Sequence, residues 1–258
     1  MADRERTIAR LRRRQLKATT IANAAGSAVV FLSIGFLIPL VSDPGRRDDL
    51  ALLNAAIAIP VVIGAQLFAF RALRGTRDRI AAWVRSGREP TDAERREALM
   101  FPVRAAKLAA ALWSLAALLF GLVNLSESAG FGVLVAVTIL LGGCTTSALV
   151  YLLTERYYRP VTALALAGEP RARMPAPGVS GRVMTAWMVG TGVPVLGILT
   201  VGVIGLTDVD VQPEYMGGAA LFLGGVALAV GAYMLHSAAA AIARPVEGVK
   251  DAMERVEE

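Results

Sequence analysis

Six apolar runs dominate the chain: residues 21–41, 51–70, 108–125, 131–153, 183–206 and 216–235. None contains Asp, Glu, Lys or Arg, and each matches a hydrocarbon layer about 30 Å thick. In lipid, the backbone amides of such a run must be satisfied within the run, so each predicts a helix. Six buried helices in a water-soluble fold are a poor alternative, because nothing in the rest of the chain could cover them. The predicted fold class is an all-α membrane protein, a six-transmembrane helical bundle with cytoplasmic helical extensions. It divides into a basic N-terminal helix over 1–20, a membrane domain over 21–235, and an extension of span 6 over 236–258.

The segments between the runs carry patterns of their own. Residues 68–90 continue helically out of span 2, and residues 151–170 do the same out of span 4. Placing Ile80 on Val161 puts Trp83 on Leu164 and Gly87 on Gly168, while Pro245-Val246 falls on Pro160-Val161. This register predicts three hairpin repeats, each ending in a helix that prolongs a span. Thr91-Asp-Ala-Glu reads as the N-cap and first turn of a helix leading into span 3. Residues 174–181 are a turn-rich link with Ser180 as a candidate cap, and 42–50, 126–130 and 207–215 read as short loops.

The C-terminal stretch organises the rest. Gly218, Leu221, Gly225, Leu228, Ala232, Leu235, Ala239, Ile242, Val246, Val249, Met253 and Val256 follow one another at alternating steps of three and four. That is the seam spacing of a coiled coil. After Arg244 the seam stands out, because Glu247, Lys250, Asp251, Glu254 and Arg255 occupy the other faces. Leu235, Ala239, Ile242, Pro245, Val246, Val249, Met253 and Val256 are the expected signal-transmission positions. Gly217, Gly218, Gly224, Gly225 and Gly231 are the expected helix-packing positions, with Gly217, Gly224 and Gly231 recurring every seven residues.

Composition agrees with several spans separated by polar segments. Hydrophobic residues are 55% of the 258, mean hydropathy is +0.54, and the 19% charged residues are clustered. The N-terminal segment is too long and too charged for a signal peptide, so it is expected to be retained. All Lys and Arg except Arg46 and Arg47 fall in 1–20, 71–107, 154–182 and 236–258. That asymmetry predicts both termini in the cytoplasm of a multi-pass protein of the cell membrane. Two readings of the basic N-terminal helix stand side by side: it lies on anionic headgroups, or it only fixes topology. No DNA-binding motif accompanies the cations, so the pI near 10.0 points to a membrane and not to nucleic acid.

Candidate chemistry is sparse. His236 is the one histidine, at the inner end of span 6, and reads as an interfacial residue more readily than as a pH switch. Cys144 is the one cysteine, so no disulfide framework exists. The hydroxyls of the Cys144-Thr-Thr-Ser147 patch read as bonding to their own helix or a neighbour, more readily than as a ligand contact, and Asn23, Asn54, Gln66 and Asn124 read as helix-knitting groups. No carboxylate or Lys lies at mid-membrane depth, which argues against an ion-coupled transporter. Pro60 and Pro194 interrupt spans without a charged site beside them. No catalytic residue, cofactor site or metal site is expected in this chain.

Arg244-Pro245-Val246 followed by an apolar heptad stripe, directly after a last membrane helix, resembles the first helix of a HAMP linker. Six spans feeding such a linker is similar to the membrane-bound class III adenylyl cyclases of actinobacteria. The HAMP likeness covers about fifteen residues; the rest is a likeness of architecture. It implies a homodimer joined through the cytoplasmic extension. It also implies a regulatory membrane domain whose catalytic domain, absent from this chain, makes cyclic AMP from ATP with Mg or Mn. A sensor histidine kinase with the same linker is the next expectation and a small transporter the third. With no extracytoplasmic domain expected, a lipid or hydrophobic ligand inside the bundle is a further expectation.

Overall fold

The computed structural model describes residues 2–37, 44–167, 187–205 and, within 217–236, all but 219, 223 and 234. Every element among them is helical. They fall into two units, Met1–Ala176 and Pro177–Glu258.

In the first unit, α1 is Ala2–Leu37, α2 is Pro44–Ala72, α3 is Arg74–Ser86, α4 is Asp92–Asn124 and α5 is Ala129–Leu166. Four helices here are long and apolar enough to cross a membrane: α1, the α2–α3 stretch, α4 and α5. Large side chains such as Ile21, Leu52, Leu115 and Val133 lie on their outer surfaces, each more than half exposed. Faces of that kind suit lipid, not water. The chain is a membrane protein, all-helical among the described residues.

α5 is the spine of this unit and packs most extensively along α4 and then α1. Its buried residues run Phe131, Val135, Ile139, Gly143, Ser147, Val150, Thr154, Tyr158, Val161 and Ala165, every third or fourth position over the whole helix. At 38 residues and 1.5 Å per residue it is about 57 Å long, nearly twice a bilayer's apolar thickness. Small residues set how closely its neighbours approach. A Cβ on Gly143 would lie 2.6 Å from Trp113 Cβ, and one on Gly132 would lie 2.7 Å from the Gly121 carbonyl. Gly26 faces Thr146, and Gly142 faces Val30, at closer range still. The Gly142-Gly143 pair is therefore the close-packing device its sequence indicates.

Three boundaries differ from expectation. Residues 44–50, expected as loop, form the start of α2. Pro44 is tolerated at the first helical position because its missing N–H has no partner to lose, and Leu50 is buried in the core. Arg46 from this turn pairs with Glu127 and donates to the Ser126 carbonyl at 2.9 Å. The basic N-terminal segment is no separate helix, because α1 runs unbroken from it into the apolar stretch. The segment after span 2 does continue helically, as expected, but with a one-residue turn at Leu73 before α3, and it stops at Gly87 and not at 90.

In the second unit, α6 is Val193–Gly205, preceded by a π-helical turn at Met188–Gly192. The wide turn ends just before Pro194, which brings no N–H to the carbonyl of Gly190. The described residues from 217 to 236 are helical. Where spans 5 and 6 were expected, the apolar helical stretches are Gly190–Thr200 and Ala220–Tyr233.

Candidate coupling platform at the charged end of the bundle

The strongest concentration of polar and aromatic contacts lies where α3 meets the start of α4, the end of α5 and the N-terminal half of α1. The amphipathic spacing of α3 buries Ile80, Ala81, Trp83 and Val84. They join Ala98 and Phe101 of α4 and Tyr158, Val161 and Ala165 of α5 in one cluster. The Phe101 and Tyr158 rings lie 4.6 Å apart at 41°, a tilted pair of favourable geometry. Trp83 Nε1 donates to the Arg88 carbonyl at 3.2 Å, so its polar edge is satisfied although the ring is buried. α3 stops at Gly87, whose φ of 67° is a left-handed cap that glycine adopts without strain.

α4 then begins with the expected cap. The Glu94 amide donates to Thr91 Oγ1 at 3.3 Å and the Thr91 amide donates to Glu94 Oε2 at 2.9 Å, a reciprocal capping box. Arg88 clamps the same carboxylate at 2.6 and 2.9 Å. That clamp, with the Thr91 amide behind it, holds the Glu94 carboxyl down at about 2. Arg79 of α3 forks onto Glu97 of α4 at 3.0 and 3.1 Å, and this bond, above all, pulls the Glu97 carboxyl below its ordinary value.

Arg77 lies beside the turn at Leu73. It is 3% exposed, donates to the Phe70 carbonyl near the end of α2, and lies 4.9 Å over the Phe70 ring. A cation at a helix C-terminus satisfies carbonyls that have no partner in their own helix. Burial pushes the Arg77 guanidinium below its usual value, partly offset by Tyr158. α1 closes the platform through Arg12, which donates to Asp78 Oδ1 at 3.0 Å, and through Gln15, which donates to Thr154 Oγ1 at 3.3 Å.

At the opposite end of the unit, Asn54 of α2 and Asn124 of α4 are buried against each other. Their amides exchange hydrogen bonds at 3.0 and 2.9 Å. Asn23 accepts from Trp113 Nε1 at 3.3 Å, and Thr145 and Thr146 donate to their own helix at 3.3 and 2.8 Å. Asn23, Asn54 and Asn124 thus knit helices, whereas the Thr145 and Thr146 hydroxyls bond within their own helix. Ser147 Oγ and Gln66 Nε2 are buried without a hydrogen-bond partner among the described residues.

Of the seam positions, Leu235 is helical and 72% exposed. Ala239, Ile242, Pro245, Val246, Val249, Met253 and Val256 lie outside the described residues. Leu221 and Leu228, earlier on the same seam, are 80% and 77% exposed. Among the packing glycines, a Cβ on Gly231 would lie 3.1 Å from the Gly190 carbonyl. Gly217, Gly224 and Gly225 have nothing described within 4 Å, so the seven-residue strip is engaged only at Gly231 among these. Gly218 is partly buried, and His236 and Cys144 are exposed. The proposed repeat holds at Ile80 and Val161, which share one cluster. It fails at Trp83, 4% exposed, against Leu164, 51% exposed.

The reading of residues 68–90 as a helical extension missed that α1 belongs to the platform. The available signal was Gln15, an uncharged polar residue in a basic run, facing the polar Thr154 in a run read as span extension.

Comparison with known proteins gives relatives of undescribed activity. The chain is 32% identical over 245 residues to an uncharacterized protein of Mycobacterium tuberculosis (strain ATCC 25618 / H37Rv), covering 92% of this chain and 44% of the relative. It is 29% identical over 243 residues to a second uncharacterized protein of that strain, covering 92% and 43%. A Mycobacterium bovis protein, also uncharacterized, is 27% identical over 248 residues, covering 93% and 42%. The chain thus spans less than half the length of the curated relatives it matches. No family model matches it, and no solved structure does.

Proposed function

We propose that this chain is the membrane anchor and regulatory domain of a signalling enzyme. In this reading six spans cross the cell membrane with both termini in the cytoplasm, and span 6 passes a rearrangement into a HAMP-like coiled coil in a homodimer. The effector beyond the coil is an adenylyl cyclase of class III. The observation that carries the reading is the platform: helices of crossing length run on together beyond their apolar stretches into one packed, ion-paired end, as a module built to hand on movement requires. Two further features support it. The relatives carry more chain outside the matched stretch than within it, room for an effector in those proteins. The seam positions Leu221, Leu228 and Leu235 are exposed and free to take a partner helix.

A cysteine scan tests it. With Cys144 replaced by Ala, single cysteines are placed at each position from 244 to 258 and oxidised in membranes. Disulfide dimers are expected to peak at Val246, Val249, Met253 and Val256 and fall between them. A flat or absent pattern sinks the coiled-coil output. The effector is tested separately, by cyclic AMP production when the chain is followed by a class III catalytic domain and by its loss in Val249→Glu/Met253→Glu.

A further inference from the structure

An open cleft of about 420 Å³ lies at the charged end, between α1 and α3. Its lining includes Arg12, Arg13, Leu16 and Lys17 of α1 and Ala81 and Arg85 of α3. Of the described residues that line it, four are cations and none is acidic. We propose that this cleft binds the phosphate of an anionic phospholipid, independently of the signalling role argued above.

Three observations carry this. The first is charge. Arg13 and Lys17 stand one helical turn apart on α1, and like charges at that spacing repel, while Arg12, already paired with Asp78, and Arg85, which donates to the Ala81 carbonyl at 3.1 Å, line the same space. An anion relieves the repulsion, and guanidinium forks match the oxygens of a phosphate. The second is depth. Lys17 lies one turn before Ile21, where the apolar run of α1 begins, about 6 Å along the axis. That is the level at which lipid phosphates sit beside a membrane-crossing helix. The third is the mixture of surfaces. Leu16 and Ala81 supply an apolar wall beside the cations, and a cleft of this volume has room for a phosphodiester with its glycerol. A free phosphate shares the charge chemistry but makes no use of the apolar wall or of the depth.

Arg12 already holds Asp78, so the test leaves it in place. The purified chain in mixed micelles is offered phosphatidylglycerol or phosphatidylcholine, and bound lipid is counted by native mass spectrometry. The expected preference for phosphatidylglycerol is fivefold or more. It should fall to near unity in Arg13→Gln/Lys17→Gln and persist in Arg10→Gln/Arg14→Gln, which removes the same charge from exposed positions of the same helix. An equal loss in both variants would overturn the cleft and leave only the overall charge of α1. Displacement of bound lipid by millimolar inorganic phosphate or pyrophosphate would overturn the lipid assignment in favour of a soluble anion. Matching thermal transitions of the two variants in detergent confirm that neither is simply misfolded.

Discussion

Asn54 and Asn124 each donate to and accept from the other, and each also donates to a carbonyl one turn earlier in its own helix, Leu50 and Phe120 respectively. α2 otherwise touches α1 and α4 only lightly, so this pair is the buried polar tie holding α2 to the rest at its end of the unit, beside the exposed contacts of Arg46 with Glu127 and Ser126. Replacing one partner leaves the other amide's buried oxygen and one of its N–H groups without their cross-helix partners, at a cost of about 1–3 kcal/mol. Asn54→Leu is expected to destabilise by that much in a denaturant titration in detergent, and Asn54→Leu/Asn124→Leu to recover part of it. Additive single effects would contradict a coupled pair.

The platform cluster should behave as a core and not as a surface. Trp83→Ala and Phe101→Ala are each expected to cost about 3–5 kcal/mol, measured by the same titration. Leu164→Ala, on an exposed face, should cost well under 1 kcal/mol. Similar losses at Trp83 and Leu164 would restore the symmetry that their burial denies.

The Glu94 clamp predicts a pH window. A carboxyl whose folded value lies below its unfolded one contributes stability above the unfolded value, and that contribution is lost as pH falls through the folded value. With Glu94 held at about 2, protection at the start of α4 should be full above about pH 4.5 and decline towards pH 2. Amide exchange of residues 92–95, corrected for intrinsic rates, reads this directly. In Glu94→Gln that pH dependence should disappear from the cap.

Glycine positions split by sign. Gly132→Ala drives a methyl against the Gly121 carbonyl, which is backbone and cannot step aside, so a loss of about 1–3 kcal/mol is expected. Gly64 has nothing described within 4 Å of its Cβ position, so Gly64→Ala should be neutral or stabilising by up to about 1 kcal/mol through helix propensity. Thermal transitions of the two variants should move in opposite directions, or only Gly132→Ala should move.

Much of the first unit is legible in the sequence because its signals are local. Thr91 and Glu94 announce a helix start three residues apart, and the apolar run over 131–153 with an amphipathic continuation announces a helix as long as α5. The interruption at Leu73 is different in kind. No residue at Leu73-Arg74 announces a turn, and the Arg77 guanidinium on the Phe70 carbonyl that accompanies it is a side-chain contact that periodicity does not show. The same holds for α1, where a row of arginines reads as a free surface helix until Gln15 meets Thr154 and Arg12 meets Asp78. In the glycine strip over 217–231, Gly231 has a backbone neighbour while Gly217, Gly224 and Gly225 have nothing described within 4 Å; periodicity alone does not say which members a neighbour touches.

One consequence of α5's unbroken stripe is mechanical. Phe131, near the Asn54–Asn124 tie, and Tyr158, in the platform, are 27 residues apart, about 40 Å along one stiff beam, with the tight seat of Gly143 on Trp113 between them. Such a beam cannot roll at one end alone. A small lateral push at Phe131 must either unseat the Trp113 fulcrum or reappear, reversed, at the Tyr158 ring.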